Sequence, residues 1–129
     1  MAKNEVEELE DALAGFFSGL AAFQIEAGQI SNAAAGVSAL RIASSTAGGF
    51  LEPPTYNCEF IARGRSVAEC LELCDKFRLI LPRFGGFVGA FRLVSAISGD
   101  SVSVVQGSDR GSVCYLATMP FTVVVKGKG

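Results

Sequence analysis

The arrangement that most restricts the fold is a strand followed at once by a capped helix. Buried-type and polar side chains alternate with period two over residues 56–63, which is typical of a half-buried strand, and Gly64 ends it. Ser66 and Glu69 then have the Ser-x-x-Glu spacing of a capping box. Pro82 cannot continue a helix. The pattern therefore predicts a strand, one short junction and a helix over residues 66–81.

Both predicted helices are amphipathic. In the helix over 66–81 one face carries the apolar side chains and cysteines, namely Val67, Cys70, Leu71, Cys74, Phe77 and Leu81. A second helix is predicted at the N-terminus, where Asn4 and Glu7 resemble a capping box, acidic residues fill the first turns, and the helix ends between Gly19 and Phe23. Its apolar stripe consists of Val6, Leu9, Leu13, Phe16, Phe17 and Leu20.

The remaining elements are predicted to be strands and turns. Strand signals cover residues 37–44, 91–97, 101–105 and 115–125, and turn signals cover 48–54, 98–100 and 106–112. The small-residue segment Gln24–Gly36 is predicted to be a loop. Pro120 cannot donate a ladder hydrogen bond, so the last strand is expected to bulge there or to lie at a sheet edge.

The element order is therefore α-β-β-α-β-β-β. Helices that cover one face of a mainly antiparallel sheet fit this order, so we predict an α+β fold in which two helices pack on the sheet. With no internal repeat or linker, residues 1–129 are predicted to form one domain.

Low charge favours an assembled protein. Charged residues make up 19% of the chain, against about 25% in ordinary domains, so part of the surface is expected to face partners. The net charge is −2 and the basic residues are dispersed, which gives no basis for sequence-specific nucleic-acid binding. The acidic N-terminus does not resemble a signal peptide, and the uncharged stretch Ala12–Ile25 is too short to span a membrane.

No catalytic, cofactor-binding or metal-binding set is recognisable, so we expect no enzymatic activity and no cofactor. The chain contains no histidine, which excludes Ser-His and Cys-His pairs and histidine ligation. The glycine-rich stretch Gly85–Gly89 lacks the Gly-Lys-Ser/Thr of a phosphate loop and is interpreted as a connector. The cysteines are expected to be reduced core thiols, with a disulfide or a Cys₄ zinc site as alternatives; they are Cys58, Cys70, Cys74 and Cys114.

Four arginines lie near the predicted middle helix: Arg63, Arg65, Arg78 and Arg83. Arginines in such positions are usually solvated, and surface ion pairs contribute little to stability. The alternative is that they pair with acidic groups on a neighbouring subunit.

From Leu40 to Val125 the chain resembles the tail terminator (tail completion or minor capsid) proteins of long-tailed bacteriophages. An acidic amphipathic helix precedes a strand containing Leu40-Arg41-Ile42. A second strand ends in the arginine-glycine turn Phe60–Ser66 and leads into the capped helix. The turn Gln106–Gly111 then precedes a long strand ending in Phe121–Val125. The segment Ala27–Gly36 has no counterpart, and Pro120 departs from the pattern.

The resemblance implies a structural virion protein. Members of the family form hexameric rings that cap the tail tube, end its elongation and offer a surface to the head-tail connector or stopper protein. Genomic DNA passes through the lumen without sequence-specific binding. The implied location is the neck end of the virion tail, after assembly in the host cytoplasm, with no membrane. We expect sheet edges, among them the long last strand, and the Gln24–Gly36 loop to carry the docking surfaces.

Three other readings remain open at this stage. A head-completion or stopper protein of the phage neck has a similar size and also forms a ring. A small ligand-binding α+β module would need a concave pocket with convergent polar groups. An enzyme without histidine would use Cys58 or Cys114 as nucleophile, although neither is predicted at a helix N-terminus, where a thiolate is favoured.

Overall fold

The computed structural model describes residues 5–21, 23–28, 37–46, 52–109 and 111–126. Within these residues lie two helices and eight strands. In chain order they are α1 (Glu5–Ala21), β1 (Ile25–Ala27), β2 (Val37–Thr46), β3 (Thr55–Gly64), α2 (Val67–Leu79), β4 (Arg83–Phe84), β5 (Phe87–Val88), β6 (Phe91–Ser98), β7 (Ser103–Asp109) and β8 (Ser112–Lys126).

All eight strands belong to one sheet. Its order is β1-β2-β3-β8-β6-β4, with β5 paired to β6 and β7 paired to β8. Every pairing is antiparallel except that of β1 with β2. The α+β class, the mainly antiparallel sheet and the two packed helices are thus confirmed, with three short strands, β1, β4 and β5, added to the predicted order.

The predicted N-cap of α2 at Ser66 is confirmed. Ser66 has an extended backbone and its hydroxyl oxygen accepts a hydrogen bond from the Glu69 N–H at 3.1 Å. The helix ends earlier than predicted, at Leu79 with Ile80 as its C-cap. Leu81 is nevertheless buried in the core, because the segment after the helix returns to the sheet as β4.

Stacked and edge-on phenylalanines fill the space between the helices and the sheet. Phe77 of α2 stacks on Phe60 of β3 with ring centroids 4.3 Å apart, and it meets Phe17 of α1 and Phe121 of β8 edge-on at 5.2 and 5.1 Å. All four rings are at most 2% exposed. Such pairs add about 0.5–1.5 kcal/mol beyond the area they bury, so this cluster fixes the position of both helices on β3 and β8.

The last strand is central, not an edge. From Tyr115 to Val124 it pairs with β3 without a register shift, while its other side pairs with β7 and then β6. The expectation that the long last strand lies at a sheet edge is therefore wrong for Tyr115–Val124, and its two ends extend beyond β3. β8 is long because it pairs with β3 on one side and with both β7 and β6, one after the other, on the other side.

Pro120 is accommodated by an interruption in the neighbouring strand. Ser98 pairs with Phe121 and Ser103 pairs with Thr118, so four residues of one strand lie opposite two of the other. Inside this bulge the Gly99 N–H donates to the Pro120 carbonyl at 2.8 Å. The predicted turn at residues 98–100 is therefore wrong: β6 and β7 continue along the same side of β8, and no hairpin joins them.

Chain reversal occurs farther along. Asp109 pairs with Ser112, so the predicted turn over 106–112 is narrower than expected and the strand continues to Asp109. Gly111 has a φ of +82°, which a glycine adopts without strain. The predicted loop Gln24–Gly36 contains the short strand β1, and its residues 29–36 lie outside the described residues, as do most of the predicted turn 48–54 and the cap residue Asn4.

Candidate functional site

The cysteines are built into the core as thiols. Cys58, Cys70 and Cys74 are buried and Cys114 is half-buried, all four unbonded to one another. Burial raises the pKa of Cys58 to about 12 and that of Cys74 to about 11. These two thiols stay protonated at neutral pH and are poor nucleophiles. The prediction of core thiols is confirmed for the three buried residues.

The described part of the chain gives little support for a metal site or a small-molecule site. No group of three or more cysteine, aspartate or glutamate side chains there is arranged to hold a metal ion. A cleft lined by Phe23, Gln24, Glu26, Val37 and Ser38 has a volume of about 130 Å³. Small-molecule sites usually occupy at least about 300 Å³, so this cleft is too small for a typical ligand.

None of the described helices is long and apolar enough to cross a membrane.

The four arginines do not form one surface. Arg63 is only 7% exposed and its guanidinium lies 4.0 Å from the Cys114 sulfur, so the expectation of a solvated side chain is wrong for this residue. Arg78 pairs with Asp75 at 3.5 Å, and Arg83 donates to the Ile80 carbonyl at 3.3 Å. Arg65 is exposed. Three of the four are thus engaged within their own chain.

One open part of the sheet is a projecting hairpin, formed by β7 and the first residues of β8. Pairing between β8 and β3 stops at Tyr115 and Gly64, so Ser112–Cys114 extend beyond β3 and pair with β7 alone. Val105 and Val113 are 59% and 51% exposed on it. Among the described strands none pairs with the outer side of β7. Edge strands are normally protected by charge or proline, but no charged residue or proline occurs from Ser101 to Ser108.

The direction of the backbone groups on β7 follows from the ladder. Successive residues of a strand direct their N–H and C=O groups to opposite edges, and antiparallel partners either exchange both bonds or none. Since the Pro120 carbonyl faces the β6–β7 side, Leu116 and Cys114 face it as well. Their partners Val105 and Gly107 therefore bond to β8.

The residues between those partners face away from β8. Val104, Gln106 and Ser108 direct their N–H and C=O groups outward, at what we call the β7 edge. This edge offers six backbone groups for pairing with another strand.

The opposite side of the sheet, at β2, is partly covered by β1 and by a carboxylate of α1. β1 covers β2 as far as Leu40, whose carbonyl also accepts from the Gly28 N–H at 2.8 Å. The next outward N–H, that of Ile42, donates to the Glu10 carboxylate of α1 at 2.8 Å. Beyond it, no described strand pairs with the outer side of Ala43–Thr46, which we call the β2 edge.

Two exposed aromatic side chains belong to strands on the same side of β8 as the β7 edge. Phe84 and Phe87, in β4 and β5, are 67% and 72% exposed, whereas the neighbouring Val88 is fully buried. Arg92 lies beside Phe87 in the adjacent strand. Exposed aromatic side chains beside an arginine are typical of protein-binding surfaces.

Sequence reasoning placed no site residue, and it missed the β7 edge. The signal was present in the uncharged run from Ser101 to Ser108, but Pro120 and the length of the last strand led to the free edge being assigned to β8. Only the pairing of β6 and β7 with one side of β8 shows which strand remains open.

The comparisons with known proteins give a structural likeness alone. A chain in the structure "Virion of native gene transfer agent (GTA) particle" superimposes with a TM-score of 0.63 over 96% of this chain and 100% of that chain. Sequence identity is 11%, so the likeness shows a shared fold. No protein-family model matches the sequence, and no curated protein matches it.

Proposed function

We propose that this protein is a structural component of a phage-like virion, and more specifically a tail terminator. In this role it forms a hexameric ring that caps the tail tube, ends its elongation and joins the tail to the head-side connector or stopper. DNA passes through the ring lumen without sequence-specific binding. The protein is assembled in the host cytoplasm, ends at the neck of the tail and has no catalytic role.

The observation that carries the proposal is the end-to-end structural likeness to a chain of a gene transfer agent virion, which leaves no large part of either chain unmatched. The described residues fit a building block better than an enzyme. Their buried thiols are protonated, and their open features include two sheet edges and two exposed phenylalanines. Such features serve contact with other proteins.

The experiment is the mass in solution, measured by light scattering after size exclusion over a range of protein concentrations, with and without Mg²⁺. One chain has a mass of 13.5 kDa, and a hexamer has six times that mass. We expect the sixfold mass, and a ring with a central hole by negative-stain microscopy. A monomer under every condition would overturn the self-assembled ring.

A second measurement separates a terminator from a head-completion or stopper protein, which also forms a ring. Tail tubes polymerised from purified tube protein of the same particle are incubated with the ring, and tube length and end occupancy are recorded. A terminator binds one tube end and stops elongation. A ring that binds the connector and leaves tube growth unchanged would favour the stopper.

A further inference from the structure

We propose that the ring closes by sheet extension, in which the β7 edge of one copy pairs with the β2 edge of the next. The inference rests on the proposed function, since it assigns the contact that makes the ring. It names a second copy of this chain as the occupant of the β7 edge.

The β7 edge and the β2 edge lie on opposite sides of one sheet. β2 and β7 are separated by β3 and β8, so strand pairing at both edges continues the same sheet through successive subunits. Contacts between two different surfaces of the same chain generate a ring when the rotation closes. Pairing of β7 with itself would instead produce a two-fold dimer.

Both edges are uncharged. No charged residue occurs in Ala43–Thr46 or from Ser101 to Ser108. Burying these two edges against each other therefore desolvates no ion, and the backbone groups that lose water gain hydrogen-bond partners. The exposed Val105 and Val113 side chains of the same hairpin become less exposed when a neighbouring subunit pairs beside it.

The register of the sheet defines the outward residues of both edges. Gln106 is the central outward residue of the β7 edge. On the β2 edge the outward residue is Ser45, because it pairs with Tyr56, whose own backbone groups bond to Val123 on the β8 side. Proline at either position removes one outward N–H and no hydrogen bond of the sheet within the subunit.

The test uses two proline variants, Gln106→Pro and Ser45→Pro, with Gln106→Ala and Ser45→Ala as side-chain controls. Each proline variant alone is expected to stay at the 13.5 kDa of one chain at concentrations where the wild-type protein is a ring, and both alanine variants to form the ring. Mixed together, the proline variants keep one intact edge of each kind. They are expected to form a heterodimer with twice the mass of one chain, and nothing larger.

The outcomes separate this inference from the proposed function. A wild-type ring that persists in folded Gln106→Pro overturns the sheet extension and leaves the ring intact as a proposal. A wild-type monomer at every concentration overturns both this contact and the self-assembled ring. A wild-type protein that stops at twice the chain mass indicates two-fold pairing and overturns the β7–β2 contact.

Amide hydrogen exchange of the wild-type ring decides the question if a proline variant fails to fold. The Gln106 amide is expected to exchange as slowly as that of Val105, which bonds to β8 in every state. Fast exchange at Gln106 beside a protected Val105 would overturn the inference.

Discussion

At the scale of single residues, the bulge between β6 and β7 depends on the absence of a side chain at Gly99. A Cβ placed there would lie 2.8 Å from Cγ of Pro120 and 3.0 Å from its carbonyl oxygen. The Gly99 N–H also donates to that carbonyl, so the two backbones cannot separate without losing a hydrogen bond. Gly99 and Pro120 thus form a matched pair that lets one long strand carry a proline.

We predict that Gly99→Ala lowers the free energy of unfolding by about 1–3 kcal/mol, the usual cost of overpacking. Gly107→Ala is the matched control in the same stretch of the sheet, because a Cβ there meets nothing nearer than the Cys114 sulfur at 3.7 Å. Urea unfolding of both variants measures the difference. In a Pro120→Ala background the cost should fall by part of its value, since Cγ is gone and the carbonyl remains; equal losses at Gly99 and Gly107 would contradict this account.

The raised pKa of the Cys58 thiol makes the stability of the protein depend on pH in the alkaline range. Its thiol has a pKa of about 12 in the folded protein because it is buried, with the Glu10 carboxylate adding to the effect. In the unfolded chain a cysteine has a pKa near 8.5. Between these values the unfolded chain has released the proton and the folded chain retains it, so stability is full below pH about 8.5 and falls as the pH rises.

We therefore predict that the free energy of unfolding falls less steeply for Cys58→Ala than for the wild type between pH 9 and 11. The expected difference in slope approaches about 1.4 kcal/mol per pH unit, the value for one proton. Urea titrations at several pH values give both slopes. Parallel curves for the two proteins would show that the thiol ionises equally in both states.

At the scale of elements, α2 depends on its N-cap. Ser66 is exposed and its oxygen accepts from the Glu69 N–H, one of the four donors that a helix start leaves unpaired. We predict that Ser66→Ala lowers the free energy of unfolding by about 1 kcal/mol and that Ser66→Asp, which keeps a capping oxygen, stays within about 0.5 kcal/mol of the wild type. Thermal and urea unfolding provide the measurement. Equal stability of the two variants would contradict the cap.

The same element shows what sequence patterns can predict. The cap of α2 and the buried centre of each helix face follow from spacing, because helix hydrogen bonds join residues a few positions apart. The strand leading into α2 follows from its period-two pattern. At the margins of the two predicted faces the side chains are exposed, namely Val6, Leu20, Val67 and Leu71. The partners of β8 do not follow from spacing. Whether Ser98–Asp100 reverses the chain depends on the side of β8 that β6 and β7 occupy, and that is a long-range choice.

The two faces of β3 show a similar limit to what sequence patterns can predict. Period-two alternation predicts one polar face, yet Ile61 and Arg63 on that face are buried as well. β3 lies between β2 and β8, so side chains on its second face are shielded by those of the flanking strands, and only the sheet order identifies β3 as central. The candidate edges depend on this order in the same way, which is why the sequence suggested a free edge but assigned it to the wrong strand.

At the scale of the whole molecule, two kinds of subunit contact make opposite predictions about salt. Ion pairs between exposed arginines and a neighbour's carboxylates weaken as salt is added, because the screening length falls from about 10 Å at 0.1 M to about 3 Å at 1 M. Hydrogen bonds between the uncharged β7 and β2 edges lack this dependence. The low charge of the chain, 19% of its residues, already favours the second kind of contact.

We predict that the concentration at which the ring assembles changes by less than about threefold between 0.1 and 1 M NaCl, well below the tenfold change that corresponds to about 1.4 kcal/mol. Light scattering against protein concentration at each salt level measures it. Arg65→Gln is the control, since Arg65 is the exposed member of the four arginines; under sheet extension it assembles like the wild type. A tenfold or greater loss of assembly at high salt, reproduced at low salt by Arg65→Gln, would indicate that the arginines make the subunit contact and the strand edges do not.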